Sequence, residues 1–180
     1  MKSSNLSARG SPKAIQEVSM LSRHQLAIAL ALIVSLSGSQ ANAAVFKRVV
    51  KNYYDVKGNT GYALKQQMKR NGPKGYWAYT TWRVKWTSNC IVNLKITYTY
   101  PRLANRETAP KQVDKNWDNM MKYLIAHEEG HGNHGIQAAK QISENKCRNG
   151  RKITKRWSTE DKLFDKRTNH GANEGIALAD

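Results

Sequence analysis

Residues 126–131 read Ala-His-Glu-Glu-Gly-His, an H-E-x-x-H pattern made by His127, Glu128 and His131. Apolar side chains precede this stretch at the spacing of one helical face, at Trp117, Met120, Met121, Leu124 and Ile125. The pattern therefore predicts a long helix over residues 114–144 that carries all three polar residues on its apolar side.

The spacing of the two histidines indicates a metal site. Residues four apart lie on one helical face, about 6 Å along the axis, so His127 and His131 can bind one ion. A bound Zn²⁺ lowers the pKa of its water towards about 7, and the next residue, Glu128, can take the proton. We therefore predict one Zn²⁺ with Glu128 as general base. The alternative is two surface histidines and a solvated glutamate; Glu129 is expected to be solvated in either case.

Three glycines interrupt the predicted helix at positions 130, 132 and 135. Each costs about 1 kcal/mol relative to alanine in a helix interior, so we expect a packed strand or a substrate to approach the backbone there. His134 lies about 10 Å along the axis from His127, too far for both to bind one ion easily. We expect His134 to line the cleft or to support the ligands.

A catalytic zinc ion generally takes three protein ligands and a water, and the helix supplies only two. The candidates for the third ligand lie near the C-terminal end of the chain. His170 is favoured, because histidine is a common zinc ligand and the adjacent Gly171 allows the backbone to fold back. Asp165 is the second candidate, and Glu160 and Asp161 lie in the same region. Glu144 belongs to the long helix itself and lies too far along it.

Two runs of aromatic and β-branched residues predict an antiparallel hairpin. Residues 76–86 and 91–100 both alternate, and Thr-Ser-Asn at 87–89 forms a compact turn. Pro101 is expected to end the second strand. The predicted fold class is α+β, a small antiparallel sheet packed against the long helix.

Shorter elements complete this prediction. Residues 49–56 resemble a strand, and Thr60 is a suitable N-cap for a helix over residues 61–70. Near the end of the chain, Ser158 is a suitable N-cap for a last short helix that ends at Arg167.

The first 43 residues have the features of a signal peptide. Basic residues precede an apolar run at 26–36, and Ala-Asn-Ala at 41–43 supplies a small-residue cleavage pattern near Ala43. Met20 is an alternative start, and an uncleaved anchor is the alternative to cleavage. Either form predicts export to the periplasm or the medium, and leaves residues 44–180 as one domain.

The whole chain has a formal net charge of +17, and residues 44–180 hold 26 Lys and Arg against 12 Asp and Glu. A spread positive charge favours adhesion to acidic envelope polymers, lipid headgroups, nucleic acid or acidic peptides. It predicts no specific nucleic-acid recognition. The alternative is a surface tuned only for solubility.

Cys90 and Cys147 are the only cysteines of the chain. In an oxidising compartment an isolated pair most simply forms one disulfide, and neither cysteine belongs to a metal-binding Cys-x-x-Cys pair. We predict a Cys90–Cys147 disulfide that ties the strands to the end of the long helix.

The chain resembles a bacterial family described as predicted secreted zinc-dependent proteases, catalogued as domain of unknown function 922. The resemblance covers most of the chain after residue 43. It rests on the H-E-x-x-H helix and on Trp82, Trp86, Cys90, residues 98–101, Trp117, residues 138–139, Cys147 and residues 164–171.

The resemblance implies a zincin-like protease with His127 and His131 as ligands and Glu128 as the base. The family's C-terminal pattern matches at Asp165, Thr168, His170 and Gly171. Two positions depart from it, with Phe164 in place of a tyrosine and Glu174 in place of a glutamine. If a tyrosine hydroxyl served catalysis at that position, this chain lacks it.

These observations predict an exported zinc-dependent hydrolase that cleaves peptide bonds in a peptide or protein. A peptidoglycan amide hydrolase is the same chemistry on cell-wall material. The alternative class is a basic envelope-binding protein whose metal is structural. Candidates for the group that steadies the reacting carbonyl oxygen are Tyr98, Tyr100, His134 and Arg167.

Overall fold

A three-stranded sheet and three helices make up the part of the chain that the structure, a computed structural model, describes, residues 44–180. The signal peptide predicted over residues 1–43 lies outside the described residues. The strands and helices, in chain order, are β1 (Val45–Val56), α1 (Gly61–Asn71), β2 (Tyr79–Trp86), β3 (Val92–Leu103), α2 (Lys111–Glu144) and α3 (Gly150–Thr168).

The sheet has the strand order β1-β3-β2. β2 and β3 pair antiparallel, with Trp82 opposite Ile96, which confirms the predicted hairpin. β1 pairs parallel with β3, so the sheet is mixed and the prediction of a purely antiparallel sheet is wrong. A parallel pair needs a crossover connection, and α1 together with β2 provides it. β1 is exposed along most of its length, so the order of its apolar and polar residues did not indicate whether it pairs parallel or antiparallel.

Pro101 lies inside β3, which continues to Leu103, so the prediction that it ends the strand is wrong. Successive backbone N–H groups of a strand point to opposite edges, and the N–H of Ala104 donates to Val56 of β1. The nitrogen of Pro101 therefore faces the other edge. β2 begins at Tyr79, opposite Thr99, and has no residue opposite Pro101 that needs its N–H.

The long helix α2 lies on the buried face of the sheet and ends at Glu144, as predicted. At Gly132 a β-carbon would lie 2.0 Å from the hydroxyl oxygen of Tyr98, and at Gly135 it would lie 2.7 Å from the β-carbon of Trp82. The predicted close approach of a strand to these glycines is confirmed. The glycines let the helix axis come nearer to the sheet than any side chain would allow.

The ends of α1 and α3 test the two predicted caps. The backbone N–H of Ala63 donates to Thr60 Oγ1 over 3.2 Å, which confirms Thr60 as the cap of α1. α3 begins at Gly150, so Ser158 lies inside the helix and the predicted cap is wrong. The basic run before Ser158 is helical because lysine and arginine are good helix formers and Ile153 is buried beneath them.

A disulfide joins Cys90 to Cys147, as predicted, with the two α-carbons 5.5 Å apart. It connects the turn between β2 and β3 to the turn between α2 and α3. A structural disulfide is typical of an oxidising, exported environment. Within residues 44–180, no helix is long and apolar enough to cross a membrane.

Reduction of the disulfide should lower the melting temperature on the order of 10 °C. The bond closes a loop with a sequence separation of 57, and a loop of about this length contributes about 4 kcal/mol by restricting the unfolded chain. Calorimetry with and without reductant measures the shift, and the Cys90→Ser/Cys147→Ser variant should match the reduced protein. Equal melting temperatures would contradict this role.

Gly132→Ala should destabilise the protein, although alanine is the better helix former, because its β-carbon would meet the Tyr98 hydroxyl. Urea unfolding should show a loss of about 1–3 kcal/mol, typical of an overpacked site. Tyr98→Phe removes the clashing oxygen, so the double variant should recover part of the loss. Purely additive effects would show that Gly132 does not govern this contact.

Candidate metal centre

Three side-chain atoms from α2 and α3 converge on one point. The Nε2 atoms of His127 and His131 lie 3.2 Å apart. Asp165 Oδ1 lies 3.3 Å from the first and 3.1 Å from the second. A tetrahedral zinc ion with bonds of 2.0–2.1 Å spaces its ligands about 3.3 Å apart, so the three atoms have the separation of ligands to one ion.

Both histidines are oriented by a carboxylate on the opposite side of the ring. Nδ1 of His127 lies 2.7 Å from Glu174 Oε2, and Nδ1 of His131 lies 2.8 Å from Asp161 Oδ1. Each Nδ1–H can donate to its carboxylate, and each Nε2 then keeps its lone pair for a cation. Both imidazoles are buried, so these contacts hold the rings in one orientation. The donor set fits a metal ion.

Asp161 also accepts a hydrogen bond from Nδ1 of His134, at 2.7 Å. His134 therefore supports the centre through Asp161 and is not in the converging group, as the helical spacing predicted. Burial lowers the pKa of His131, but the bond to Asp161 and the neighbouring carboxylates outweigh it, and the pKa is raised. The two histidine bonds keep the pKa of Asp161 below its usual value despite its burial.

Of the candidates for the third ligand, the structure brings Asp165 to the histidine pair. His170, the favoured candidate, is not in that group. Its Nδ1 lies 3.4 Å from Asp165 Oδ1, and its side chain is 56% exposed. Two consecutive left-handed residues, Asn169 and His170, end α3, and the imidazole of His170 lines the cleft without joining the converging group.

Glu128 is buried beside the histidines, and Thr80 of β2 fixes its carboxylate. The Thr80 hydroxyl donates to Glu128 Oε2 over 2.6 Å. Burial raises the pKa of Glu128 above its ordinary value, although the Thr80 bond and the two histidines act in the opposite direction. Glu129 is exposed, as predicted.

Phe164 forms an apolar wall of the centre. Its ring stacks on that of His127, with centroids 4.9 Å apart, and meets His131 edge-on at 5.1 Å. A β-carbon at Gly130 would lie 2.8 Å from this ring, so the third glycine of α2 also makes room for an aromatic side chain. Phenylalanine here excludes water from one side of the centre and brings no hydroxyl to it.

The centre lies in a cleft of about 610 Å³. None of the four residues predicted to stabilise a carbonyl oxygen lines this cleft: Tyr98, Tyr100, His134 and Arg167. The polar side chains that do, besides the centre itself and its carboxylates, are Lys74, Tyr76, Tyr79, Thr80, Ser158, Lys162 and His170.

Sequence reasoning missed three supporting residues: Thr80, Asp161 as the orienting carboxylate, and Glu174. One signal was available for α3. Asp161 and Asp165 are four residues apart, so they share a helical face in the same way as His127 and His131. Two such pairs on facing helices predict a mixed histidine–carboxylate centre.

An α+β protein with a histidine–carboxylate centre between two helices is therefore the class that the fold and site define. Residues 51–171 match a family described as bacterial protein of unknown function, DUF922, and the chain belongs to this family. No curated protein and no solved structure matches the chain.

Asp165→Ala should remove stoichiometric zinc binding, as should His127→Ala and His131→Ala, because each deletes one of three converging atoms. His170→Ala should keep the ion, since its imidazole lies outside the group. Elemental analysis of the purified variants measures the bound metal, with Glu129→Ala as the exposed acidic control. Full zinc in Asp165→Ala together with loss in His170→Ala would reverse the assignment.

Proposed function

We propose that this protein is an exported zinc-dependent hydrolase that cleaves peptide bonds. The observation that carries the proposal is the convergence of two imidazole Nε2 atoms and Asp165 Oδ1 at distances of 3.1–3.3 Å, with a buried carboxylate beside them. Two histidines and one carboxylate are a common ligand set for catalytic zinc. The resemblance to zincin-like proteases, with their H-E-x-x-H helix, supports the same chemistry.

Zinc in such a site supplies a water of lowered pKa and polarises a carbonyl group. His127, His131 and Asp165 would hold the ion, while Glu174 and Asp161 keep the imidazoles in the tautomer that binds metal. These carboxylates also strengthen the basicity of the imidazoles. The side chains need little reorganisation on binding, since both rings are already fixed by packing against Phe164.

Glu128 is the proposed general base. It would take a proton from the nucleophilic water and later deliver it to the leaving amine. The Thr80 hydroxyl restrains one carboxylate oxygen and leaves the other free for the water.

His170 is the proposed donor to the substrate's carbonyl oxygen. Its ring lines the cleft, and its centroid lies 5.6 Å from that of Tyr76. It has a left-handed backbone with φ of 51°, which is uncommon for a residue with a side chain, and its N–H donates to Asp165 O over 2.9 Å. Strained backbone of this kind is often found at functional sites.

The competing function is an envelope-binding protein with a structural metal. Structural zinc has four protein ligands, whereas the converging group has three, His127, His131 and Asp165. A second group within residues 44–180, which shares His131 and adds His134 and Asp161, also has three members. An open position favours the enzyme. The same centre could cleave a peptide bond in a protein or in the peptide part of the cell wall. Which of the two is cleaved depends on the substrate that the cleft binds.

Glu128→Gln should retain zinc, fold and melting temperature and should lower the rate of substrate cleavage by roughly 10²–10⁴. The amide is nearly isosteric but cannot accept the proton. Hydrolysis of peptide mixtures and of purified cell-wall fragments, followed by mass spectrometry, measures the rate. Glu129→Gln is the matched control, one residue along and exposed, and should cleave as the parent does.

Two outcomes would contradict this assignment. If Glu128→Gln cleaves as fast as the parent while holding zinc, Glu128 is not the base. If the zinc-loaded parent cleaves neither type of substrate, the envelope-binding function is favoured.

A further inference from the structure

The outer face of the sheet, turned away from α2, is exposed and strongly basic at the end where β1 begins. At the other end of this face Pro101 and Leu103 are buried. In β3 the residues Val92, Leu94, Ile96 and Tyr98 are buried, and the alternating residues between them form the outer face. Four basic side chains lie on this face, Arg48, Arg83, Lys85 and Lys95. We call the surface that they form the cationic sheet face.

Three of these cations form one row across all three strands. Lys95 of the central strand lies opposite Arg48 on one side and opposite Arg83 on the other. All are exposed, and none makes an ion pair with another described residue. Like charges directly opposite each other destabilise a sheet, and an anionic partner bound there would relieve this repulsion.

Acidic residues are absent from this part of the sheet. Of the acidic residues in the described chain, only Asp55 belongs to a strand, and it pairs with Arg102 at the far end. The outer positions next to the cations carry Thr81, Thr97 and Asn52, with the half-buried Val50 opposite Thr97. Among the described residues, the exposed part of this face therefore presents cations and neutral side chains and no acidic group.

An aromatic side chain stands among the cations. Phe46 is 59% exposed and lies in the row of Asn93 and Lys85, on the same face. An exposed phenylalanine gains nothing from a soluble polyanion, but it can enter the boundary between headgroups and acyl chains of a bilayer. Basic residues around a single apolar side chain are a common composition of membrane-surface contacts.

We propose that the cationic sheet face binds the surface of a bilayer that contains anionic phospholipids, with Phe46 inserted among the headgroups. This binding is independent of the metal centre, which lies on the opposite side of the sheet, against α2. The cleft would remain open to substrate while the domain rests on the membrane.

The test is co-sedimentation of the exported protein, purified from the periplasm or medium after cleavage near Ala43, with vesicles of phosphatidylcholine, with and without phosphatidylglycerol. Replacing Arg48, Arg83, Lys85 and Lys95 by glutamine should lower partition into the anionic vesicles by roughly several hundredfold, at about fivefold per cation. Binding of the parent should fall as salt rises. The charge-matched control replaces four exposed lysines on α1 and α2, Lys69, Lys111, Lys115 and Lys122, and should bind nearly as the parent does.

A second variant separates a bilayer from a soluble polyanion. Phe46→Ala should weaken binding to anionic vesicles several-fold and leave binding to heparin unchanged. Circular dichroism and melting temperature confirm that each variant is folded. Equal vesicle binding by the face variant and its control would overturn the proposal. A second pair of results would also overturn it: Phe46→Ala binds vesicles as the parent does, and the four-glutamine variant no longer binds heparin. The face would then be a site for soluble polyanions.

Discussion

The close approach of α2 to the sheet is the contact on which the site depends. Gly132 and Gly135 present no side chains to Tyr98 and Trp82, whose atoms occupy the space that β-carbons would need. At this separation the Thr80 hydroxyl of β2 reaches the carboxylate of Glu128, 2.6 Å away. Glycine weakens an isolated helix, so the long α2 depends on tertiary packing at the positions where the site is built.

The second requirement is the position of α3, which supplies the carboxylates. The disulfide and the contact of Gly150 with Trp86 hold the start of this helix near the β2–β3 turn. Asp161 and Asp165, one turn apart, then face the histidines of α2. These carboxylates are partly buried beside two buried imidazoles, and a divalent cation would compensate their charge.

The local parts of this structure could be predicted from the sequence, and the long-range parts could not. Helical and alternating periodicity located α2 and the hairpin, and Thr60 marked the start of α1. The direction of β1 could not be predicted from its own residues. A mostly exposed strand lacks the alternation of apolar and polar residues that would indicate how it pairs. At the site, the histidine spacing identified one helix. Which of Asp165 and His170 lies beside the histidine pair depended on how α3 packs against α2, which only the folded chain shows.

X-ray absorption spectroscopy of the zinc-loaded protein tests the centre most directly, because it reports the ligands of the ion themselves. We expect a first shell of nitrogen and oxygen at about 2.0–2.1 Å, with the outer-shell scattering of two imidazoles and no sulfur. The Asp165→Ala variant should not show this first coordination shell of nitrogen and oxygen. Scattering from three imidazoles in the parent would place His170 on the metal, and four protein ligands with no water would contradict an open, catalytic centre.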